Sequence, residues 1–539
     1  MNLATSPEQP VAQDRNSLGR GLRYILLPLL GILLILTALF ASRWRYYADS
    51  PILFYISLLI DKYHLVPYRD IYDINFAGTY FAYLIIGKVT AYTVLGVRLA
   101  DFGLLGSILV LSWLWMRKVD GWMAGSGAIA WALTYLAVGP TMTLQREYLM
   151  MIPILCGLVA HQRIGSRHLN WKYVLTGAGF GIAATMKPQA AIGLLAVIAW
   201  DIATVLQKRD PDESPAAARR RALQMLVAAG IGALVPMLAL LSYLAAHGAL
   251  GPLLEIVTRY LPLYASMNGD HEVVTGWHRI QYLVLTFAKL GGYGIWLGPA
   301  AVGTYMALYG SGLSPQQKDH VGLLSSLTAC YAIYPVFSGQ FWPQHWLPFL
   351  YFLMQLAFLC LVVPRGKWQA ASSLLPIAVL GVAVIGLIRP DTLDNLRLLY
   401  QRHELPAPNN PYEGRVDEIA SFLRANLKPG DTVQPLDWTG GSIHAMLITQ
   451  ARIATRYLGD YYFYHSVNSS YIQLLRQRFM ADLQKARPRF IIEVYGEDKA
   501  WPSGPNTTRQ FPELHQFMDT QYRVVWEGSG YRIHERLDP

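Results

Sequence analysis

The residues best suited to chemistry in this 539-residue sequence are carboxylates and cations that stand where long apolar runs begin or end. Asp49 follows the first run, within Tyr46-Tyr47-Ala48-Asp49-Ser50. The apolar stretch from Pro51 to Ile60 would pin it at a surface, where a carboxylate can act as general base toward a hydroxyl within hydrogen-bond reach. A helix cap for that stretch is its competing role. Arg146 and Glu147 sit side by side between two runs, fit either for chemistry or for a boundary ion pair with snorkelling stems. Lys187, in Met186-Lys187-Pro188-Gln189, is a cation at a tight turn between runs and suits an anionic phosphate, with Gln189 beside it as a polar contact. His345, in Gln344-His345-Trp346-Leu347-Pro348, is read either as a ligand or as a hydrogen-bonded interfacial residue within an aromatic belt. Tyr47, Tyr68, Asp70 and Asp73 could contact a substrate, although Asp70 and Asp73 serve a turn or cap equally well.

The elements that must hold these residues are membrane helices. Apolar residues make up 53% of the chain and charged residues 15%, well below the quarter charged that soluble domains carry. A bilayer core about 30 Å thick needs about 20 mainly apolar residues per helix. Eleven runs approach that requirement: 24–41, 97–116, 122–139, 148–160, 173–186, 189–206, 222–246, 282–309, 321–337, 346–363 and 371–389. The stretch Thr79–Leu95 carries Lys88 at its middle and leaves almost no turn before the run at Val97, so it reads as an amphipathic helix at the membrane surface. With it excluded, the Lys and Arg of the short connections fall on one face. They include Arg15, Arg20, Arg23, Arg117, Lys118, Arg163, Arg167, Lys172, Lys208, Arg209, Arg219–Arg221, Lys318, Arg365 and Lys367. The positive-inside rule makes that face cytoplasmic.

Residues 1–23 are then a cytoplasmic tail, 24–389 a transmembrane unit with a long first outer loop at 42–96, and 390–539 an extracytoplasmic domain. That last segment shortens its periodicities. Helices are expected at Val416–Leu427 and Tyr471–Ala486, strands at Asp431–Leu436 and Phe490–Val494, and a hairpin from Tyr522–Trp526 and Tyr531–His534, which together make a small α/β domain. Arg98 and Asp101 are spaced to pair along one helix face. The Ala/Arg stretch at Pro215–Arg221 reads as a loop.

Several function classes drop out. The net charge of +10 is spread between apolar runs, not gathered in a nucleic-acid groove. Cys156, Cys330 and Cys360 show neither disulfide nor zinc spacing. There is no phosphate-binding Walker loop, no GxGxxG after a strand and no HExxH. A transporter or flippase is the chief alternative to an enzyme, and within enzymes a polymerase or ligase is one reading. The charges gather at one surface, though, and no paired halves are evident.

An acidic residue after the first span, a long first outer loop, an acidic second loop and a soluble outer domain together resemble the GT-C class of membrane glycosyltransferases. More narrowly, they resemble the branch of protein O-mannosyltransferases and bacterial lipid A aminoarabinose transferases. Asp49 falls where that family has its first-loop Asp. Arg146-Glu147 loosely meets its Arg-x-Asp pattern, Met186-Lys187-Pro188 resembles its Thr-Lys-Gly-Pro turn without the Gly, and Gln344–Pro348 resembles its His-Tyr-x-Leu-Pro stretch. Asn75-Phe76-Ala77-Gly78 replaces its Lys-Pro-Pro element.

The resemblance implies a polyprenyl-phosphate-linked sugar as donor and a lipid, glycan or protein hydroxyl as acceptor. It implies Asp49 and Glu147 as catalytic carboxylates, with Arg146, Lys187 and His345 on the donor phosphate. It further implies the bacterial inner membrane, with the C-terminal domain periplasmic. Family members differ in their use of a divalent metal, and no ligand cluster in this sequence decides the point.

Overall fold

The computed structural model describes residues 15–165, 168–207, 214–310, 312–362, 374–388, 390–497 and 499–537. Residues 1–14 of the tail lie outside these, as do Arg167, Lys208, Arg209, Arg365 and Lys367 of the orientation argument. The first half is built from helices α1 (Arg15–Ala41), α2 (Asp49–Tyr63), α3 (Ala77–Thr90), α4 (Val94–Met116), α5 (Gly121–Ala137), α6 (Arg146–Leu149), α7 (Met151–Arg163), α8 (Leu169–Met186), α9 (Ile192–Gln207) and α10 (Pro215–Ala246). There follow α11 (Leu250–Glu255), α12 (Leu261–Tyr264), α13 (Gly276–Ala288), α14 (Leu297–Tyr305), α15 (Pro315–Ser338), α16 (Leu347–Ala357) and α17 (Leu374–Ile385).

Local chemistry sets the starts. Asp120 accepts from the backbone N–H groups of Trp122 and Met123 at the head of α5, satisfying two donors that the helix leaves open. Ser314 and Gln317 close a capping box on α15. The Ala/Arg stretch read as a loop is instead the first turns of α10. Ser214 caps it, Pro215 stands at its first position, and Ala and Arg are strong helix formers.

Among the described residues, six helical segments are long and apolar enough to cross a membrane: Tyr24–Ala41, Val94–Met116, Pro188–Gln207, Pro215–Ala246, Pro315–Ser338 and Pro343–Leu361. They turn apolar side chains outward, such as Ile32, Leu99 and Leu238, each more than half exposed, and the chain is an integral membrane protein. The expected count of eleven is not met by this measure, and broken helices account for part of the gap. The run 282–309 is interrupted at Gly291 and Gly292, whose φ of 62° and 84° no ordinary helix tolerates. It becomes α13 and the nine-residue α14. The run 148–160 yields α7 of 13 residues, and 371–389 yields α17 of 12. The stretch at Thr79 forms α3, which ends at Ala91 (φ 52°) and is too short at 14 residues to span alone.

The C-terminal segment holds α18 (Pro390–Arg402), α19 (Arg415–Asn426), α20 (Ser442–Thr449), α21 (Ser470–Ala486) and α22 (Pro512–Gln521). Its strands β1 (Thr432–Leu436), β2 (Arg452–Ile453), β3 (Phe490–Val494), β4 (Tyr522–Gly528) and β5 (Tyr531–Arg536) form one sheet in the order β2-β1-β3-β5-β4. Strands β2, β1 and β3 run parallel, and β3–β5–β4 is antiparallel. Phe490, Ile491, Ile492 and Val494 of β3 are buried, as suits a strand covered on both faces, while Glu493 is half-buried and meets His534 at 3.1 Å. This unit rests on the segment between α1 and α4: the Tyr55 hydroxyl donates to the Ala451 carbonyl at 2.7 Å and the Tyr72 N–H to the Arg456 carbonyl at 2.7 Å.

Candidate active site

Asp49 is the first residue of α2 and caps nothing. The N-cap position is Ala48, whose backbone takes a left-handed φ of 54°, an unusual turn for a residue with a Cβ. Contacts on both sides stabilise that turn. Arg45 forms a bidentate pair with Asp417 at 2.7 Å, its backbone N–H donates to the Asn409 side chain, and Tyr47 stacks on Tyr412 with ring centroids 4.9 Å apart. The C-terminal domain thus holds the segment that presents Asp49.

The loop carrying Arg146 and Glu147 is held on three sides. The Ser50 hydroxyl donates to the Thr143 carbonyl at 2.6 Å and the Tyr83 hydroxyl to the Leu144 carbonyl at 2.5 Å, while the Leu144 N–H donates to Tyr135. Behind it, Arg98 and Asp101 pair at 2.7 Å inside the bundle, and Arg98 also reaches Thr143. The spacing had suggested this pair; its work is to scaffold the loop.

The two loop residues then diverge. Arg146 Nη2 lies 3.7 Å from Asp49 Oδ2. Glu147 is completely buried, with one carboxylate oxygen on the Lys187 ammonium, the Tyr334 hydroxyl at 3.4 Å and His345 Nε2 at 3.7 Å. Burial alone would raise this carboxyl. Lys187, His345 and Arg146 outweigh that and draw it down to about 2.

Lys187 reaches this point because Pro188 follows it. A residue before proline is pushed out of the helical region, so α8 ends at Met186 and Lys187 sits extended at φ −145°, ψ 110°. His345 stands in the turn Pro343–Trp346 before α16, and its Nδ1 meets the Ser338 hydroxyl at 2.7 Å. Gly78 packs directly on Thr185, where any Cβ would collide. That close approach brings Asn75 and Phe76 beside the end of α8.

A cavity of about 230 Å³ opens here, lined by Arg146, Lys187, Gln189 and His345 with Asn75, Tyr264, Gln340 and Trp342. Neither Asp49 nor Glu147 is among its lining residues. The other expected contacts lie elsewhere. Asp73 is buried and accepts from Tyr80 at 2.5 Å, from Asn75, and from Tyr462 at 3.3 Å. Burial pushes its carboxyl up, against those hydrogen bonds. Asp70 accepts from the Val66 N–H and pairs with Arg69 at 2.7 Å, and the Tyr68 hydroxyl donates to the Asn75 carbonyl. Asp70 and Tyr68 are thus engaged within residues 42–96, and Asp73 both there and with Tyr462 of the C-terminal segment. The sequence reading gave no role to Tyr264, Gln340 or Trp342. Tyr264 belongs to the four-residue α12, too short to carry an apolar period; Gln340 and Trp342 stand just before the Gln344–Pro348 stretch.

The described residues contain no group of three or more His, Cys, Asp or Glu able to hold a metal. Glu147 and His345 supply two such side chains, with the Lys187 ammonium already on one oxygen of that carboxylate, and among the described residues these do not complete a metal centre.

No protein-family model matches the chain, and no curated protein does. Its fold has counterparts among solved structures. ArnT from Cupriavidus metallidurans bound to undecaprenyl phosphate superimposes with a TM-score of 0.55 at 11% identity, over 96% of this chain and 98% of that one. The apo structure of the same protein gives 0.55 at 12%, over 95% and 97%. The chain shares the fold of this ArnT protein. The Archaeoglobus fulgidus oligosaccharyltransferase tethered with an acceptor peptide scores 0.46 at 13%, over 87% of this chain and 69% of that one. In this fold the candidate site lies between the segment that follows α1, the segment between α5 and α7, the Lys187 turn and the start of α16, with the C-terminal segment beside Asp49.

Proposed function

We propose that the protein is a membrane glycosyltransferase that moves a sugar from a polyprenyl-phosphate-linked donor to an acceptor hydroxyl, with inversion at the anomeric carbon. The observation that carries this reading is the position of Arg146, whose guanidinium meets the Asp49 carboxylate and also lines the cavity shared with Lys187 and His345. A base and a group of cations are thereby joined through one side chain. The likeness to a structure holding undecaprenyl phosphate supports the choice of donor.

Asp49, one-fifth exposed, takes the proton of the acceptor hydroxyl. The oxygen attacks the anomeric carbon, the bond from that carbon to the phosphate oxygen breaks, and the electron pair leaves with polyprenyl phosphate. Arg146, Lys187 and His345 face the charge that develops. In a partly dehydrated cavity such contacts count for more than in water. Gln189 and the rings of Tyr264 and Trp342 give the sugar polar and apolar surface. Glu147, enclosed behind Lys187 and His345, acts as a positioning residue that fixes both. Tyr47, stacked under Tyr412, positions the Asp49 turn.

The test compares envelope glycolipids, glycans and glycoproteins by mass spectrometry in cells with the wild-type protein, without it, and with Asp49→Asn at matched expression. A sugar-sized mass absent from both altered strains supports transfer and identifies sugar and acceptor. A species lost only in the deletion overturns transfer in favour of transport or scaffolding.

A further inference from the structure

A second polar cavity lies at the other end of the bundle. Lys187 ends α8 while Lys172 stands near its start, so about 20 Å of helix separates the two at 1.5 Å per residue. Asp201 sits within the apolar segment Pro188–Gln207, where an ionisable side chain is costly unless it serves a purpose. One of its oxygens accepts from Tyr173 at 2.5 Å and meets His161 Nε2 at 2.6 Å. With that oxygen so engaged, Lys172 is held at 3.9 Å, beyond a hydrogen bond, and lies over the Tyr173 ring.

These groups line a cavity of about 680 Å³, larger than the candidate active site and apart from it. Lys118 enters from the turn after α4 and His320 from α15, its ring tilted against Trp115 with centroids 5.1 Å apart. Ser314 and Gln317 bring the N-terminal end of the 24-residue α15 to the same space, and its dipole adds partial positive charge there, against the Asp319 carboxylate that also lines the cavity. Arg117 and Arg163 flank the mouth in sequence. Basic pockets between membrane helices at a basic face bind anionic headgroups.

We infer that this cavity is a binding site for a phosphate group, held by Lys118, Lys172 and the positive end of α15 and supplied by the headgroup of an anionic lipid or by free phosphate. Asp201 serves the site as a positioning residue: it fixes His161 and Tyr173 and leaves Lys172 facing the cavity. The inference stands apart from the transferase reading, since none of these residues lines the candidate active site.

The experiment uses the full-length protein in detergent and measures retained lipid by native mass spectrometry after exposure to phosphatidylglycerol, to phosphatidylcholine or to inorganic phosphate. Variants are Lys118→Gln/Lys172→Gln and Lys118→Arg/Lys172→Arg, each checked for monodispersity. A lipid source gives phosphatidylglycerol adducts on the wild type, weakened at least about tenfold by the Gln pair, restored by the Arg pair and absent with phosphatidylcholine. A free-phosphate source gives the same dependence on the lysines with inorganic phosphate alone, read as a thermal shift. Adducts indifferent to both substitutions, or no binding of either probe to a monodisperse wild type, overturn the inference. If the Gln pair does not fold, the single variants Lys118→Gln and Lys172→Gln each should weaken binding, and indifference of both overturns it equally.

Discussion

The Arg146 guanidinium lies 3.7 Å from the Asp49 carboxylate, while Glu147, the next residue in the chain, turns the other way to Lys187. One short helix start therefore serves both halves of the site. Arg146→Ala should lower turnover by about 10²–10³-fold, the range for loss of one preorganised donor, with Arg146→Lys intermediate because a point charge cannot keep the forked geometry. Turnover of a polyprenyl-phosphate-linked sugar in proteoliposomes measures this.

Breaking the buried pair should cost stability as well as activity. Lys187→Met leaves the Glu147 charge enclosed without its nearest partner, a loss of about 3–5 kcal/mol for buried pairs. Adding Glu147→Gln removes that charge and should recover most of the melting temperature without recovering turnover. Thermal unfolding in detergent, beside the transfer assay, separates the two effects.

Acid should weaken the C-terminal domain before it reaches this pair. His444 has both ring nitrogens buried and unpartnered, and burial, with Arg45 nearby, pulls it down to about 3. His465, bonded to Tyr260 at 2.7 Å, is drawn down by burial to about 4. Both lie below the ordinary value of 6.5, so the unfolded chain takes up protons first. Their stabilisation is full above about pH 6.5 and is lost as pH falls toward 4. Glu147, lowered from 4.5 to about 2, acts in the same direction at lower pH: its stabilisation is full above about pH 4.5 and is lost as pH falls from there toward 2. Melting temperature should thus fall between pH 6.5 and 4, and the fall should be shallower in His465→Gln. A flat profile across that window would contradict it.

The fold of the C-terminal domain matters to Asp49 through Arg45–Asp417 and Tyr47–Tyr412. Asp417→Asn, at an exposed pair, should change overall stability by no more than about 1 kcal/mol and yet reduce turnover by at least about tenfold, because the strained Ala48 turn loses external support. Equal turnover at equal melting temperature would show that the turn holds itself.

Much of this site was legible because its residues are polar at the ends of apolar runs. Asp49, Arg146, Lys187 and His345 stood out by type and place, and the pairing of Arg98 with Asp101 followed from helical spacing. The sheet strand Phe490–Val494 coincides with the expected apolar run. What spacing could not show was direction. Adjacent residues Arg146 and Glu147 point to different partners, and Tyr264 arrives from a helix too short for any period to mark. Helix count failed where Gly291 and Gly292 broke an apolar run that composition alone reads as continuous. Asp201, embedded in an apolar segment, drew no notice because its partners His161, Tyr173 and Lys172 come from two other helices.

The most direct test of the central claim is transfer by purified Asp49→Asn. The substitution keeps size and most hydrogen bonding while removing the base, so the protein should elute and melt like wild type and lose about 10²–10⁴-fold in turnover, the usual contribution of a general base. Wild-type turnover by a well-folded Asp49→Asn protein would contradict the account.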